Sequence, residues 1–316
     1  MMGAMDKTTP VEMHTPWGPN AQLGQGGHLG FNHIAGSTAG READSDPRHN
    51  QLLASLAAAD WLRWQPLLER VELRCGQVLI EAGSPPQHLF FPTTAVLSLV
   101  YMTRDGGCTE VAVVGNDGAM GIALIMGGST SPSRAVVQNA GQAYRLRAQA
   151  VRDEVQRPGP ALQMLLSYTQ TLMAQVAQTA LCNRFHTIDQ QFCRRLLLGL
   201  DRQAGDALAM TQEAVANMLG VRREGVTAAA SKLQSAGVIR YHRGRIEVLD
   251  RQRLEQRTCE CYAMGHRAHQ RGSLSMPALP LLPPLQVARK PAPAKAAVNK
   301  TAPATLWQRW PQAYAA

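Results

Sequence analysis

The chain has no uninterrupted apolar run of about 18 residues, the length that a membrane-spanning helix needs. Its first residues, MMGAMDKTTPVEMHTPWGPN, contain no continuous apolar core and include early acidic residues, unlike a secretory signal. Six cysteines in 316 residues are too few and too scattered for the disulfide framework of a secreted protein. These absences predict a cytoplasmic protein that does not enter a membrane and whose cysteines are mostly buried thiols.

Motifs that would indicate an enzyme are also missing. The sequence contains no Gly-rich phosphate loop, no nucleophile elbow and no HExxH metal helix. Catalytic turnover would therefore need residues that these motifs do not supply. We assign no catalytic residue, and an enzyme is the least favoured class of function.

The charge of the chain favours a polyanionic partner. The net charge is +9 and the isoelectric point is near 9.6. Between Leu219 and Arg245, six basic residues stand against a single acid, Glu224. This local excess of positive charge indicates that the segment from Leu219 to Arg245 contacts the polyanionic partner.

Composition and periodicity divide the chain into six parts. Strand-like runs such as AVLSLVYM and TEVAVVG alternate with turn segments such as GSPP and GNDG, after a helical lead-in, LLASLAAADWLRWQPLLERV. Short strands at this spacing predict an all-β sandwich or barrel. The six parts are a disordered N-terminal segment (1–48), a β-rich domain (49–158), a long helix (159–183), a further domain with short helices (184–258), a helical extension (259–271) and a disordered, basic, Pro/Ala-rich tail (272–316).

The long helix carries an apolar seam at alternating steps of three and four residues. Such a seam packs either against its own domain or against a second subunit, and the length and position of the helix favour the subunit interface. A further helix, TIDQQFCRRLLLGLDR, follows it. The residues of the predicted dimer seam are Leu162, Leu165, Thr169, Leu172, Val176 and Thr179.

Residues 210–250, MTQEAVANMLGVRREGVTAAASKLQSAGVIRYHRGRIEVLD, predict a winged helix-turn-helix. Thr211 is a suitable N-cap, and Gly220 ends the first helix with a residue that tolerates the left-handed conformation. A second helix begins near Arg222 and stops at Gly237. The segments VIRYH and RIEVL, joined by RG, form a hairpin with a basic tip, which is the usual form of a wing.

The first turn of the second helix has the charges that base reading requires. In such a unit this turn enters the major groove, where arginine bonds guanine and glutamate accepts from cytosine. A solvated helix face is the alternative, but a glutamate would be repelled by phosphates unless it met a base donor. Gly225 would allow close approach of the backbone to DNA. The predicted DNA-binding residues are Thr211, Gln212, Arg222, Arg223, Glu224, Thr227, Arg243 and Arg245.

The order of strands, long helix, TQEAVANMLGVRREGVTAAASKL and RGRIEVLD resembles the cAMP receptor protein/FNR superfamily of bacterial transcription regulators, from about His49 to Arg271. The resemblance implies an α+β chain with an N-terminal cyclic-nucleotide-binding-type β-roll (jelly roll), a long dimerisation helix and a C-terminal winged helix-turn-helix. Arg223 and Glu224 match the base-reading pair of the family. Arg222 replaces the usual small hydroxyl cap, and Ala228 replaces the next recognition arginine, so the operator sequence cannot be copied from known members.

The resemblance also places a possible effector pocket in NDGAMGIALIMGGSTSPSRAVV. Ile122 stands where cyclic-nucleotide-binding members have a glutamate for the ribose hydroxyl, and the arginine lies one place out of the family pattern. Arg134 either binds an anion or forms a salt bridge. We therefore expect no cyclic nucleotide and no cofactor, and the pocket binds either another small ligand or none. The candidate pocket residues are Gly118, Gly121, Ser133, Arg134 and Ala135.

The cysteines offer a second route to sensing. Cys259 and Cys261 are close enough to share a metal or to be oxidised together, with His266 and His269 nearby. However, C-x-C without a second well-spaced pair is a weak zinc signal. Structural thiols are favoured, and we expect no metal site.

These observations predict a homodimeric regulator that binds double-stranded DNA at a palindromic operator, and that contacts RNA polymerase if it is an activator. Two recognition helices would then lie about 34–36 Å apart, one turn of DNA. The alternatives are a regulator that needs a cyclic nucleotide or a redox change, and a protein that coats DNA without sequence preference.

Overall fold

The structure is a computed structural model that describes residues 46–104, 106–203 and 205–265. The predicted disordered tail and nearly all of the predicted N-terminal segment lie outside these ranges, as do His266 and His269. Of the predicted helical extension, residues 260–265 are helical and the remainder lies outside the described part.

The described ranges contain eight α-helices and ten β-strands, apart from that terminal helical stretch. The helices are α1 (Gln51–Ala54), α2 (Ala58–Trp64), α3 (Ala148–Val155), α4 (Pro160–Phe185), α5 (Ile188–Leu200), α6 (Gln212–Leu219), α7 (Arg223–Ser235) and α8 (Arg251–Arg257). The strands are β1 (Glu69–Leu73), β2 (Val78–Ile80), β3 (His88–Pro92), β4 (Val96–Met102), β5 (Cys108–Val114), β6 (Arg134–Asn139), β7 (Gly141–Arg147), β8 (Ala207–Ala209), β9 (Ile239–His242) and β10 (Arg245–Val248).

Strands β1 to β7 form two antiparallel sheets, with the orders β1-β7-β3 and β2-β6-β4-β5. Leu89, Phe91, Leu97 and Val137 are fully buried in the shared core. Alternation of apolar and polar residues along strands such as β7 places one face of each sheet in this core. The predicted α+β class and the β-roll are confirmed.

The predicted helical lead-in is wrong in its second half. Helix α2 ends at Trp64, and Pro66 stands in the 3₁₀ turn that follows. Proline has no N–H to continue a helix, and the residues after it alternate in burial, so the chain enters strand β1. Strand β1 pairs with β7 over its whole length, from Glu69 opposite Arg145 to Leu73 opposite Gly141.

A second core holds the C-terminal domain together. Phe192 on α5, Leu208 on β8 and Val226 on α7 are each fully buried in it. Helices α5, α6 and α7 pack against a small antiparallel sheet of order β8-β10-β9. This arrangement is the predicted winged helix-turn-helix, with β8 as an additional strand that is too short to leave a pattern in the sequence.

Candidate nucleic-acid interface

Helix α6 begins and ends as its sequence predicts. The hydroxyl of Thr211 accepts a hydrogen bond from the Ala214 N–H at 3.0 Å, a cap that stabilises a helix by about 1 kcal/mol. Gly220 has φ +66°, the left-handed conformation that allows the chain to turn towards α7. Thr227 Oγ1 lies 2.8 Å from Gln212 Oε1 and joins the two helices.

The first turn of α7 presents its charges to solvent. Arg222 occupies the N-cap position without a capping bond, because its side chain has no acceptor for the helix N–H groups. Arg222, Arg223 and Glu224 lie on this turn with exposed side chains, and Thr227 follows one turn later. Within the described ranges, neither arginine forms an ion pair with another side chain. Their guanidinium groups are therefore available to an external ligand.

The wing has a tight turn with a charged tip. Strands β9 and β10 pair so that His242 faces Arg245, which leaves Arg243 and Gly244 as the two turn residues. Both have positive φ, +46° and +78°, as a type I′ turn requires. The side chains of Arg243 and Arg245 are exposed.

Gly225 does not have the role that its position in the sequence suggests. A Cβ on Gly225 would lie 2.8 Å from Cδ1 of Ile188. The glycine faces α5, inside the domain, so it allows close approach of two helices and not of DNA. Val226, the next residue, is fully buried.

The predicted dimer seam on α4 packs against its own domain. Leu165 is fully buried in the core of the β-roll, Leu172 is 3% exposed, and Val176 packs against the same core. Thr169 and Thr179 are also buried, and their hydroxyls donate to helix carbonyls four residues earlier. Of the predicted seam of Leu162, Leu165, Thr169, Leu172, Val176 and Thr179, the last five are covered within the same chain and Leu162 is half-buried, so packing within the chain is the alternative that the structure contains.

A different stripe of α4 is open to solvent. It recurs at steps of four and three residues and lies one residue further along the sequence, about 100° around the helix. Leu166 is 50% exposed and Met173 is 55% exposed, and Leu181 and Phe185 extend the apolar surface. The exposed stripe consists of Leu166, Gln170, Met173, Ala177, Ala180 and Arg184.

The candidate effector residues of the β-roll have structural partners. Arg134 binds Glu81 through two hydrogen bonds of 2.7 and 2.6 Å, so of the two alternatives the salt bridge is formed. A Cβ on Gly118 would lie 2.5 Å from the Tyr168 hydroxyl oxygen. Both residues are therefore held by contacts within their own domain.

The remaining three candidates also have structural roles. Gly121 needs its positive φ of +117° and approaches the His88 carbonyl oxygen closely. Ser133 is buried, and its carbonyl oxygen accepts from Ser131 Oγ. Ala135 is 2% exposed inside strand β6. The glycines of this loop therefore serve packing, a role that a sequence motif alone does not distinguish from phosphate binding.

A buried ion pair joins the β-roll to the C-terminal domain. Arg195 Nε on α5 lies 2.6 Å from Glu110 Oε1 on β5, and each side chain is 4% exposed. Ser98 Oγ donates to the other carboxylate oxygen, and Gln138 Oε1 accepts from Arg195. Burial lowers the pKa of Arg195, while the charge of Glu110 opposes that shift. The sequence gives no sign of this contact, because its members lie on four separate elements.

Four residues that could hold a metal ion meet at the end of α4. They are Cys182, His186, Cys259 and Cys261. The sequence indicates Cys259 and Cys261 as a close pair, with His266 and His269 nearby, but does not point to Cys182 or His186 as their partners. The signal that could have found them is the four-residue spacing of Cys182 and His186, which places both on one face of a helix.

None of the helices within the described ranges is long and apolar enough to cross a lipid bilayer.

Comparison with known families matches both domains. The model of the cyclic nucleotide-binding domain matches residues 70–157, and the model of the Crp-like helix-turn-helix domain matches residues 190–257. A search of the curated proteins found no match.

Solved structures share the fold. A structure from Eubacterium rectale assigned to the crp/fnr family is 18% identical, with a TM-score of 0.55, over 66% of this chain and 98% of its own. FixK2 from Bradyrhizobium japonicum is 16% identical, with a TM-score of 0.53, over 61% of this chain and 98% of its own. A CRP-family transcriptional regulator from Thermus thermophilus is 18% identical, with a TM-score of 0.51, over 60% of this chain and 95% of its own. At these identities the likeness concerns the fold.

Proposed function

Because the chain belongs to the Crp/Fnr superfamily of transcription regulators, we propose that it binds double-stranded DNA in a sequence-specific manner and regulates transcription as a homodimer on a palindromic operator. The observation that carries this proposal is the exposed first turn of α7, where Arg222, Arg223 and Glu224 face solvent beside one another. A turn with this chemistry at the start of a recognition helix suits the donor and acceptor pattern of the major groove.

The proposed DNA contacts are of two kinds, contacts to base edges and contacts to phosphates. Arg223 and Glu224 read base edges, and Thr227 and Gln212 hold α7 and α6 together at the same edge. Arg243 and Arg245 lie on the wing, where their charge neutralises phosphates without reading sequence. Base contacts explain why the recognition helix α7 carries charges of both signs, and phosphate contacts explain why the wing is basic.

The exposed stripe of α4 is the proposed dimer interface. Its residues have the heptad-like spacing of a two-stranded helical contact, and Leu166 and Met173 lie at positions seven residues apart. Burying these apolar side chains against a second copy would remove them from water, at about 25 cal/mol per Å² of apolar surface. In such a two-fold symmetric dimer, the α7 helix of each subunit would contact one half-site of the operator.

DNA binding without a cyclic nucleotide is the second part of the proposal. Glu81 neutralises Arg134, and Ile122 begins a 3₁₀ turn where an acceptor for a ribose hydroxyl would be needed. A protein of this design acts in the cytoplasm, where its DNA is, and it would contact RNA polymerase if it activates transcription.

Selection of bound DNA from a random duplex pool tests the proposal. The purified full chain is used at physiological salt without added ligand. Enrichment of a palindromic motif is the expected result, with half-site centres one DNA turn apart. Enrichment that appears only after addition of cyclic nucleotides would overturn the ligand-independent part. Retention of DNA with no motif under any of these conditions would overturn sequence-specific binding.

A further inference from the structure

Three cysteines and one histidine from two distant parts of the chain lie together where the end of α4 meets the segment after α8. Cys182 and His186 lie at the C-terminal end of α4, and Cys259 and Cys261 follow α8. The three cysteines are 1%, 4% and 0% exposed, and they form a small buried cluster of their own. The imidazole of His186 is 11% exposed. This cluster takes no part in the proposed contact with DNA.

The spacing of the donor atoms fits a single tetrahedral ion. All four donor atoms lie within 4.8 Å of one another. The sulfur atoms of Cys182 and Cys259 are 3.6 Å apart, and Cys261 Sγ lies 3.4 Å from His186 Nδ1. A tetrahedron with zinc–sulfur bonds of about 2.3 Å has edges of about 3.8 Å, close to these values. A cluster of several irons would hold its ligands further apart.

Hydrogen bonds from neighbouring side chains favour the forms of His186 and Cys261 that can bind a metal. His186 Nε2 lies 3.2 Å from Glu260 Oε1, so the carboxylate favours the tautomer with its proton on Nε2. That tautomer leaves the lone pair of Nδ1 directed at the cysteines. Gln178 Nε2 donates to Cys261 Sγ at 2.9 Å, a bond that stabilises a thiolate. The backbone is fixed as well, because Gln191 donates to the carbonyl oxygen of His186.

We propose that Cys182, His186, Cys259 and Cys261 bind one divalent metal ion of the zinc class. Three sulfurs and one imidazole nitrogen make up one of the common structural zinc sets. The ion would close the loop from Cys182 to Cys261, which contains the whole helix-turn-helix and its wing. It therefore fastens the DNA-binding domain to the end of the long helix.

Metal binding displaces the protons of the three cysteine thiols. The three thiols each release one proton to water as sulfur–metal bonds form, and neutral His186 donates its Nδ1 lone pair without losing a proton. No oxidant or reductant is needed.

Metal analysis of the full chain, purified under reducing conditions, is the first test. We expect about one zinc ion per chain by elemental analysis, in keeping with one four-coordinate site. Replacement by Co²⁺ should give the sulfur-to-cobalt charge-transfer absorption and the strong visible bands of a tetrahedral thiolate site. A chain that holds no metal and gives no such bands with Co²⁺ would overturn the proposal, as would a Cys182–Cys259 disulfide in the reduced preparation.

Substitutions locate the site. Cys259→Ser should abolish the charge-transfer bands at stoichiometric Co²⁺, whereas Cys75→Ser, which removes a half-buried thiol on the β-roll, should leave them unchanged. Because Cys259→Ser could also unfold the domain, Glu260→Gln provides a second variant. The Glu260 side chain is 66% exposed, so the fold tolerates the change, and metal affinity should fall about 10–100-fold because the amide that replaces the carboxylate carries no charge to strengthen its bond to His186. Equal loss of metal in Cys75→Ser, or undiminished affinity in Glu260→Gln, would contradict the assignment.

Discussion

At the scale of single residues, the arginines of the candidate interface have different surroundings. Arg223 lies on a rigid helix, one residue after the N-cap, with its backbone fixed by α7. Arg243 lies at the tip of a two-residue turn and is the one non-glycine residue with positive φ in the described ranges. A fixed position suits recognition of one base pair, whereas an exposed turn suits a phosphate that can be met from several directions.

Arg223→Ala tests the assignment of base reading. The substitution should weaken binding to the selected operator by about 1–3 kcal/mol and relax preference at one base pair in each half-site. Affinities for the operator and for single-base variants, measured at one salt concentration, give the result. If every sequence is bound more weakly by the same factor, Arg223 contacts phosphate and the assignment is wrong.

Arg243→Asn should separate stability from DNA binding. Arginine in the left-handed region costs about 1–2 kcal/mol, and asparagine is favoured in a type I′ turn, so the variant should be more stable. It should also bind all DNA sequences more weakly and lower the slope of log affinity against log salt by about 1. Urea unfolding and a salt titration measure the two effects. Unchanged salt dependence would exclude a phosphate contact at this position.

At the scale of elements, the sequence pattern of α4 predicts the helix but not which of its faces is buried. Its sequence predicts a helix over 159–183, and the structure has one over Pro160–Phe185, but the apolar residues support two stripes that differ by one position. Which stripe is buried depends on how the β-roll docks, and the sequence contains no local signal for that. The stripe ending in Ala180 and Arg184 is the one that the structure leaves open.

Met173→Glu tests the open stripe as a dimer interface. A carboxylate opposite its own symmetry mate would repel and would lose the burial of an apolar side chain. The wild-type chain should sediment as a dimer and the variant as a monomer at the same concentration. Leu62→Glu, at a 72% exposed leucine on α2, is the matched control and should stay dimeric. Dimers in both variants would place the interface elsewhere.

The elements that can be predicted from the sequence are those with strong local rules. The Thr211 cap, the Gly220 turn and the Arg243–Gly244 hairpin each follow from residues adjacent in sequence, and the structure contains all three. Strand β1 resembles helix in the sequence because its pattern is short and continues an apolar run. The spacing of Cys182 and His186 shows only that they share a helix face; nothing in the sequence joins them to Cys259 and Cys261, because the two pairs come together only when α8 packs against α5.

At the scale of the whole molecule, the β-roll and the DNA-binding domain are joined by polar contacts. Thr109 donates to the carbonyl oxygen of Met218 at 3.2 Å, and Arg202 lies 2.7 Å from Asp117. The buried pair of Arg195 and Glu110 is a third such contact. Such a pair adds little net stability compared with apolar residues of similar volume, yet it penalises any separation that leaves one charge unpaired.

Arg195→Met should therefore destabilise the protein strongly, by about 3–5 kcal/mol, because the carboxylate of Glu110 remains buried without its partner. Adding Glu110→Leu should restore most of that loss, since the double variant buries no charge. Urea unfolding of the two single variants and the double variant gives the coupling free energy of the pair. The same cycle on Arg240 and Glu247, an exposed pair on the wing strands, should give about 0–1 kcal/mol. If the losses at Arg195 and Glu110 simply add, then water reaches the pair in solution, and the two domains are not held together by it.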